Sequence, residues 1–217
     1  MISSYHFRDA PEYALATGRG RGTCVLIVPA LFDEGNKLRH FSVELMRALD
    51  EGGADSILPD LPGSNESGAS LTGQSIASWQ AAMRAAAEQL RASHVLTIRG
   101  GCLLSPENLP ALHYAPVAGG NLLRAMLRAQ VLSEREAGRT VSRDELLARG
   151  KAEGLQIAGY DLSPAMIASL ENAQPGADAN AIGQSEIGGG GLWLRAEPEH
   201  DPQQARALAR IVLERLA

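Results

Sequence analysis

The sequence predicts an α/β protein, a mostly parallel sheet of about five to seven strands with helices on both faces. Three observations carry this reading. The run "TCVLIVPAL" (23–31) is almost continuously apolar and rich in β-branched residues, as in a strand covered on both faces. Strand-like runs then alternate with runs of helical periodicity, the pattern of parallel strands joined by helical crossovers. Finally, "HVLTIRGGCLLS" (94–105) enters a glycine-containing turn at Arg99-Gly100-Gly101 and at once resumes an apolar run. A strand turning sharply into a helix in this way usually presents a nucleophile at its apex.

The elements follow in order. After the first strand, "LRHFSVELMRALDEGG" (38–53) places Phe41, Leu45, Met46 and Leu49 near helical spacing and stops at Gly52-Gly53. "ADSILPDLPG" (54–63) is a second strand broken by Pro59 and Pro62, and "ASWQAAMRAAAEQLRAS" (77–93) is an alanine-rich helix. "HVLTI" is the third strand and "ALHYAPVAGG" (111–120) a fourth. Between 121 and 154 two helices follow one another, with Ser142 and Glu145 spaced as a capping box for the second; this reads as an insertion over the sheet. "LQIAGYDLSPAMIASLENAQ" (155–174) returns to a short strand and a helix with Pro164 in its first turn. The Gly-rich 176–191 segment holds either one weak edge strand or a loop, and 191–216 closes with a strand, a loop and an amphipathic helix.

Composition narrows the function. With 45% hydrophobic and 21% charged residues over 217 positions, the chain can bury one sizeable core. A net charge of -5 without a basic stretch argues against nucleic acid as partner. No run reaches the roughly 18 apolar residues of a membrane span. "MISSYHFRDA" has neither the basic start nor the apolar core of a secretory signal. Cys24 and Cys102 sit in apolar contexts and read as small buried hydrophobes in a reducing compartment, so the expected location is the cytoplasm. Five scattered histidines show no ligand spacing, so neither a metal nor another cofactor is expected.

Four pieces in chain order resemble the α/β-hydrolases: the loop "PALFDEGNK" (29–37), "DLPGSNES" (60–67), the turn at Arg99, and His200 before the last helix. "PALFDEGNKLRHFSVELMRALDEGGADSILPDLPGSNESG", "TIRGGCLL" and "AGYDLSPAMIASL" together resemble the exosortase A-associated hydrolases, over roughly residues 23–172. The resemblance implies one α/β-hydrolase-like domain over 1–217 with a helical lid at about 119–154. It also implies a link to bacterial loci for exopolysaccharide production and protein sorting. An arginine at the turn is normal for that group. "WLRAEPEHD" departs from its pattern in the last third.

The chemistry of the turn is then the central question. A guanidinium stays protonated and cannot attack a carbonyl, so a Ser-His-Asp mechanism is excluded at this apex. A cation at the positive end of a helix costs about 0.3–1 kcal/mol and calls for an anion. Asp33 or Glu34 of the facing loop could pair with Arg99, or an anionic ligand could bind both the guanidinium and the turn amides of Gly100 and Gly101. Asn36, Lys37 and Arg39 would form a polar rim to the pocket, or an ordinary solvated loop. His200 is either a general base or a surface histidine among Glu197, Glu199 and Asp201. Asp178, Glu186, Glu197 and Glu199 are the acids that could orient it, with Glu186 in "GQSE" the best placed. Cys102 reads as a packing residue or, alternatively, as a thiolate nucleophile.

Three functions remain open: hydrolysis of an ester or acyl-type bond through water activated by His200, with Arg99 holding an oxyanion; a non-catalytic protein holding an anionic or acyl-type ligand or a protein partner; and a cysteine hydrolase using Cys102. An acid–histidine pair facing Arg99 would favour the first, and a salt-bridged, closed turn the second.

Overall fold

The computed structural model describes residues 1–176 and 180–216. The chain begins with β1 (Ile2–Phe7) and β2 (Ala10–Thr17), followed by β3 (Cys24–Val28), α1 (Asp33–Lys37), α2 (Arg39–Glu51), β4 (Asp55–Pro59), α3 (Ile76–Gln89) and β5 (His94–Ile98). A 3₁₀ helix (Arg99–Leu104) leads to β6 (Ala111–Tyr114), α4 (Gly119–Glu136) and α5 (Arg143–Glu153). Then come β7 (Leu155–Ile157), β8 (Tyr160–Leu162), α6 (Pro164–Asn172), β9 (Ala181–Ile182), α7 (Gln184–Ile187) and α8 (Pro202–Leu216). The main sheet has seven strands in the order β1-β2-β4-β3-β5-β6-β9. The five from β4 to β9 are mutually parallel, and the β1–β2 hairpin joins them antiparallel through β2 and β4.

The sheet divides the core into two layers. Val25, Ile27, Leu96 and Ile98 meet Phe41, Leu45 and Leu49 of α2 and Leu208 and Val212 of α8. Leu26, Val28 and Val95 meet Trp79, Met83 and Ala86 of α3 and the packed residues of α4 to α6. Residues of β3 and β5 thus point alternately into the two layers, which is why their sequences show no polar face.

Several local expectations hold. Ser142 and Glu145 form the capping box of α5, and Pro164 sits in the first turn of α6 behind the N-cap Ser163. Of the two readings of the Gly-rich segment, the described part contains the short edge strand β9.

Three expectations change. The sequence reading assigns no element before residue 23, yet a hairpin lies there. Its two-residue turn, Arg8-Asp9, has φ of 49° and 62°, a geometry normally signalled by asparagine or glycine. The short strand at 155 is not part of the main sheet. It pairs with β8 across Ala158-Gly159, both at positive φ, as a separate hairpin. The strand expected after 191 is a 3₁₀ turn, Leu192–Leu194. β9 has only two residues, so that edge offers almost no ladder for another strand to extend.

Candidate functional site

The C-terminal ends of β3 and β5 carry the candidate site. Arg99 stands at the turn directly after β5 with φ of 53°, a left-handed backbone that costs a side-chain-bearing residue on the order of 1–3 kcal/mol. The helix it opens is a six-residue 3₁₀ segment, too short to gather the dipole of a long helix. What holds Arg99 is specific contact. Its Nε and Nη2 donate to the two carboxylate oxygens of Glu34 at 3.0 and 2.8 Å, its Nη1 donates to the Ala115 carbonyl at 3.0 Å, and its guanidinium lies 4.2 Å from the Trp193 ring centroid. Both side chains of the pair are mostly buried, at 13% and 18% exposure. Each of the three guanidinium nitrogens is therefore occupied by the protein itself, in the bidentate geometry that arginine and carboxylate favour.

Gly100 and Gly101 are buried under the turn. A Cβ at Gly101 would meet the Pro29 and Val28 carbonyl oxygens at 2.5 and 2.6 Å, and one at Gly100 would meet Leu122 at 2.6 Å. These glycines let the turn press against β3 and α4. They pack against protein, whereas one of the two readings of the sequence offered their amides to an anion.

Loop 29–37 faces two cavities. The larger, about 570 Å³, is lined by Glu34, Lys37 and Arg99 together with Trp193 and the α4 residues Leu122, Ala125 and Met126. Within it, Lys37 pairs with Asp33 at 2.7 Å, so this predicted rim residue has an internal partner, as Glu34 has in Arg99. The smaller, about 280 Å³, is lined by Asn36, Arg39, Ser64, Asn65 and Tyr160. Phe32, at φ 56°, lines both cavities and divides them, its ring packed near Trp79 and Tyr160.

The proposed acid–base pair is not brought to the turn. The exposed His200 stacks on His40 of α2, with ring centroids 4.2 Å apart. Glu186 caps α7 through the Gly183 amide at 2.6 Å and pairs with Arg215 at 2.6 Å. Glu199 pairs with Arg195 at 3.5 Å, and Asp178 lies outside the described residues. Among the described residues no histidine lines the larger cavity. Cys102 is 4% exposed; burial pushes its thiol up and away from a reactive thiolate, and its Sγ donates to the Val117 carbonyl. The sequence reading missed the Ala115 carbonyl and Trp193 as partners of Arg99. Trp193 is one of only two tryptophans in the chain, the one available signal for it.

No family model matches the chain, and no curated protein matches it. Solved structures do. Est1E from Butyrivibrio proteoclasticus, a structure with ferulic acid bound, aligns with a TM-score of 0.54 at 11% identity, over 79% of this chain and 71% of that one. Mouse alpha/beta hydrolase domain-containing protein 10 aligns with a TM-score of 0.52 at 14% identity, over 79% and 69%. A proline iminopeptidase-related protein from Thermus thermophilus aligns with a TM-score of 0.50 at 17% identity, over 70% of this chain and 56% of that one. The chain thus spans little more than half the length of some hydrolases it matches. The fold class is that of the α/β-hydrolases. Among the described residues, no helix is long and apolar enough to cross a membrane.

Proposed function

We propose that this chain is a binding protein on an α/β-hydrolase scaffold, with arginine standing where a hydrolase of this fold carries its nucleophile. The observation that carries this reading is the closed turn: Arg99 is fixed by both oxygens of Glu34, by the Ala115 carbonyl and by Trp193. A guanidinium so held does not attack a carbonyl, and although one N–H on each Nη is left over, its charge is already met by Glu34. This removes the main argument for an anionic ligand at Arg99. The largely apolar wall above it, Leu122, Ala125, Met126 and Trp193, suits an acyl-type or other apolar small molecule instead.

We also take the chain as one domain over 1–217, with residues about 119–154 as the lid, since α4 forms one wall of that cavity. The three motifs support a protein of the exosortase A-associated type, and with it a place in bacterial exopolysaccharide production and protein sorting. The cytoplasm fits the two unpaired cysteines.

The reading is tested by exposing the purified protein to a fluorophosphonate probe and to p-nitrophenyl esters. No labelling and no turnover are expected, because the turn offers no activated hydroxyl. Ser105 follows the 3₁₀ segment as its C-cap and lines a different cavity, beside Cys102. Labelling of one serine, lost on its replacement by alanine, would overturn the reading. So would ester turnover abolished by His200→Ala, which would return the protein to hydrolysis through activated water.

A further inference from the structure

The smaller cavity has a chemistry of its own. It opens between α1, the start of α2 and the loop after β4, with Phe32 separating it from the closed turn. Arg39 donates through Nη1 to Asp60 at 2.9 Å, and Asn65 donates its Nδ2 to the same Asp60 oxygen at 2.8 Å. Asp60 is only 3% exposed, so the pair is neutral as a unit and anchored from below. Asn36 donates its Nδ2 to the Tyr160 hydroxyl at 2.9 Å.

What these contacts leave over decides what can bind. Among the described residues, Arg39 has no acceptor on Nε or Nη2, and the Tyr160 hydroxyl hydrogen has none either. The Oδ1 atoms of Asn36 and Asn65 have no donor, and the Ser64 hydroxyl has neither donor nor acceptor. Unspent donors and unspent acceptors therefore line one small space. Its 280 Å³ lies just below the range of drug-sized sites, which suits a ligand of about one ring.

We infer that this cavity is a binding site for a neutral polyhydroxylated ligand of about monosaccharide size. A hydroxyl both donates and accepts, so adjacent hydroxyls can satisfy the arginine and tyrosine hydrogens and the two asparagine oxygens at once. A carboxylate only accepts, as do the charged oxygens of a phosphate. It would match Arg39 but set lone pairs against the asparagine oxygens, and it would meet a guanidinium already neutralised by Asp60. Phe32 and Tyr160 supply an aromatic wall for the C–H face of a ring. The inference concerns a cavity separate from the closed turn and does not rest on it.

The test is an amide NMR titration of the full chain with D-glucose, D-mannose and myo-inositol at millimolar concentration, with acetate and inorganic phosphate as controls at constant ionic strength. Saturable shifts are expected at residues 35–39 and 63–65 with at least one polyol and with neither anion. Ser64→Ala and Asn36→Ala should each weaken that binding about two- to tenfold, as one lost hydrogen bond does, with unchanged melting temperature. Three results overturn the inference: no saturable shift with any polyol, saturable shifts in these segments with acetate or phosphate, or polyol binding that keeps its affinity in both variants.

Discussion

Two arginines on either side of Phe32 behave differently. Arg99 gives all three nitrogens to Glu34 and Ala115 and covers its face with Trp193. Arg39 gives one nitrogen to Asp60 and stands 34% exposed at a cavity. Both are ion-paired, and a list of salt bridges would not tell them apart. The difference lies in what remains unspent. An arginine whose charge is met by both carboxylate oxygens and whose face is covered is a structural fixture, whereas one with most of its donors free beside free acceptors can recognise something.

The comparison can be broken at its strongest point. Glu34→Ala leaves Arg99 mostly buried without its carboxylate and should cost about 3 kcal/mol or more in chemical denaturation. The paired replacement Arg99→Met with Glu34→Leu should recover most of that loss, because it removes both charges together. If Glu34→Ala is nearly neutral, the closed turn is not what fixes the site.

The glycines sharpen the same point. Gly101→Ala drives a Cβ into two backbone oxygens, whereas Gly100→Ala meets the side chains of Leu122 and Leu31. The first should lower stability by about 1–3 kcal/mol and the second by less, since side chains can shift and the β3 carbonyls cannot. Equal losses would mean that the turn does not press on β3 as described.

On the other side of Phe32 the effects are smaller. Arg39→Ala should cost roughly 1 kcal/mol, because the pair is partly exposed and Asn65 still holds Asp60. A loss as large as that of Glu34→Ala, read in the same denaturation experiment, would make the two arginines equivalent fixtures.

The smallest effect is a pH dependence near the same loop. Glu12 is 2% exposed, and its Oε2 has no partner among the described residues. Burial, and then the nearby Asp60 carboxylate, push its carboxyl above the ordinary range, while the Ser67 hydroxyl opposes them. A raised carboxyl favours the protonated form in the folded state. The native state therefore loses stability as pH rises from the unfolded value through the folded one. Glu12→Gln should accordingly be more stable than the parent at neutral pH, with the gap closing as the solution is acidified below the ordinary carboxylate range. A gap that widens on acidification would contradict this environment.

Much of the frame was legible in the sequence because burial on two faces leaves a mark in composition. β3 is apolar throughout, and β5 is apolar but for His94 and Thr97, because helices cover both sides, and α2 shows its stripe because one face meets the sheet. The alternation, the capping box at Ser142 and the stop at Gly52 are local signals and could be read locally. The β1–β2 hairpin could not, since Arg8-Asp9 adopts its turn without the residues that usually announce it. The candidate site was legible only in part: the position of Arg99 and the choice among Asp33, Glu34 and a ligand followed from charge and strand order.

Sequence alone thus determined the layered α/β frame and the presence at the turn of a side chain that cannot act as a nucleophile, because hydrophobic period and the permanent charge of a guanidinium belong to the residues themselves. Only the tertiary structure decided which carboxylate met Arg99, that Trp193 covers it, that His200 stacks on His40, and that Asn36 and Glu34, two residues apart, face different cavities. Those outcomes depend on contacts between segments far apart in the chain, whose geometry no local pattern encodes.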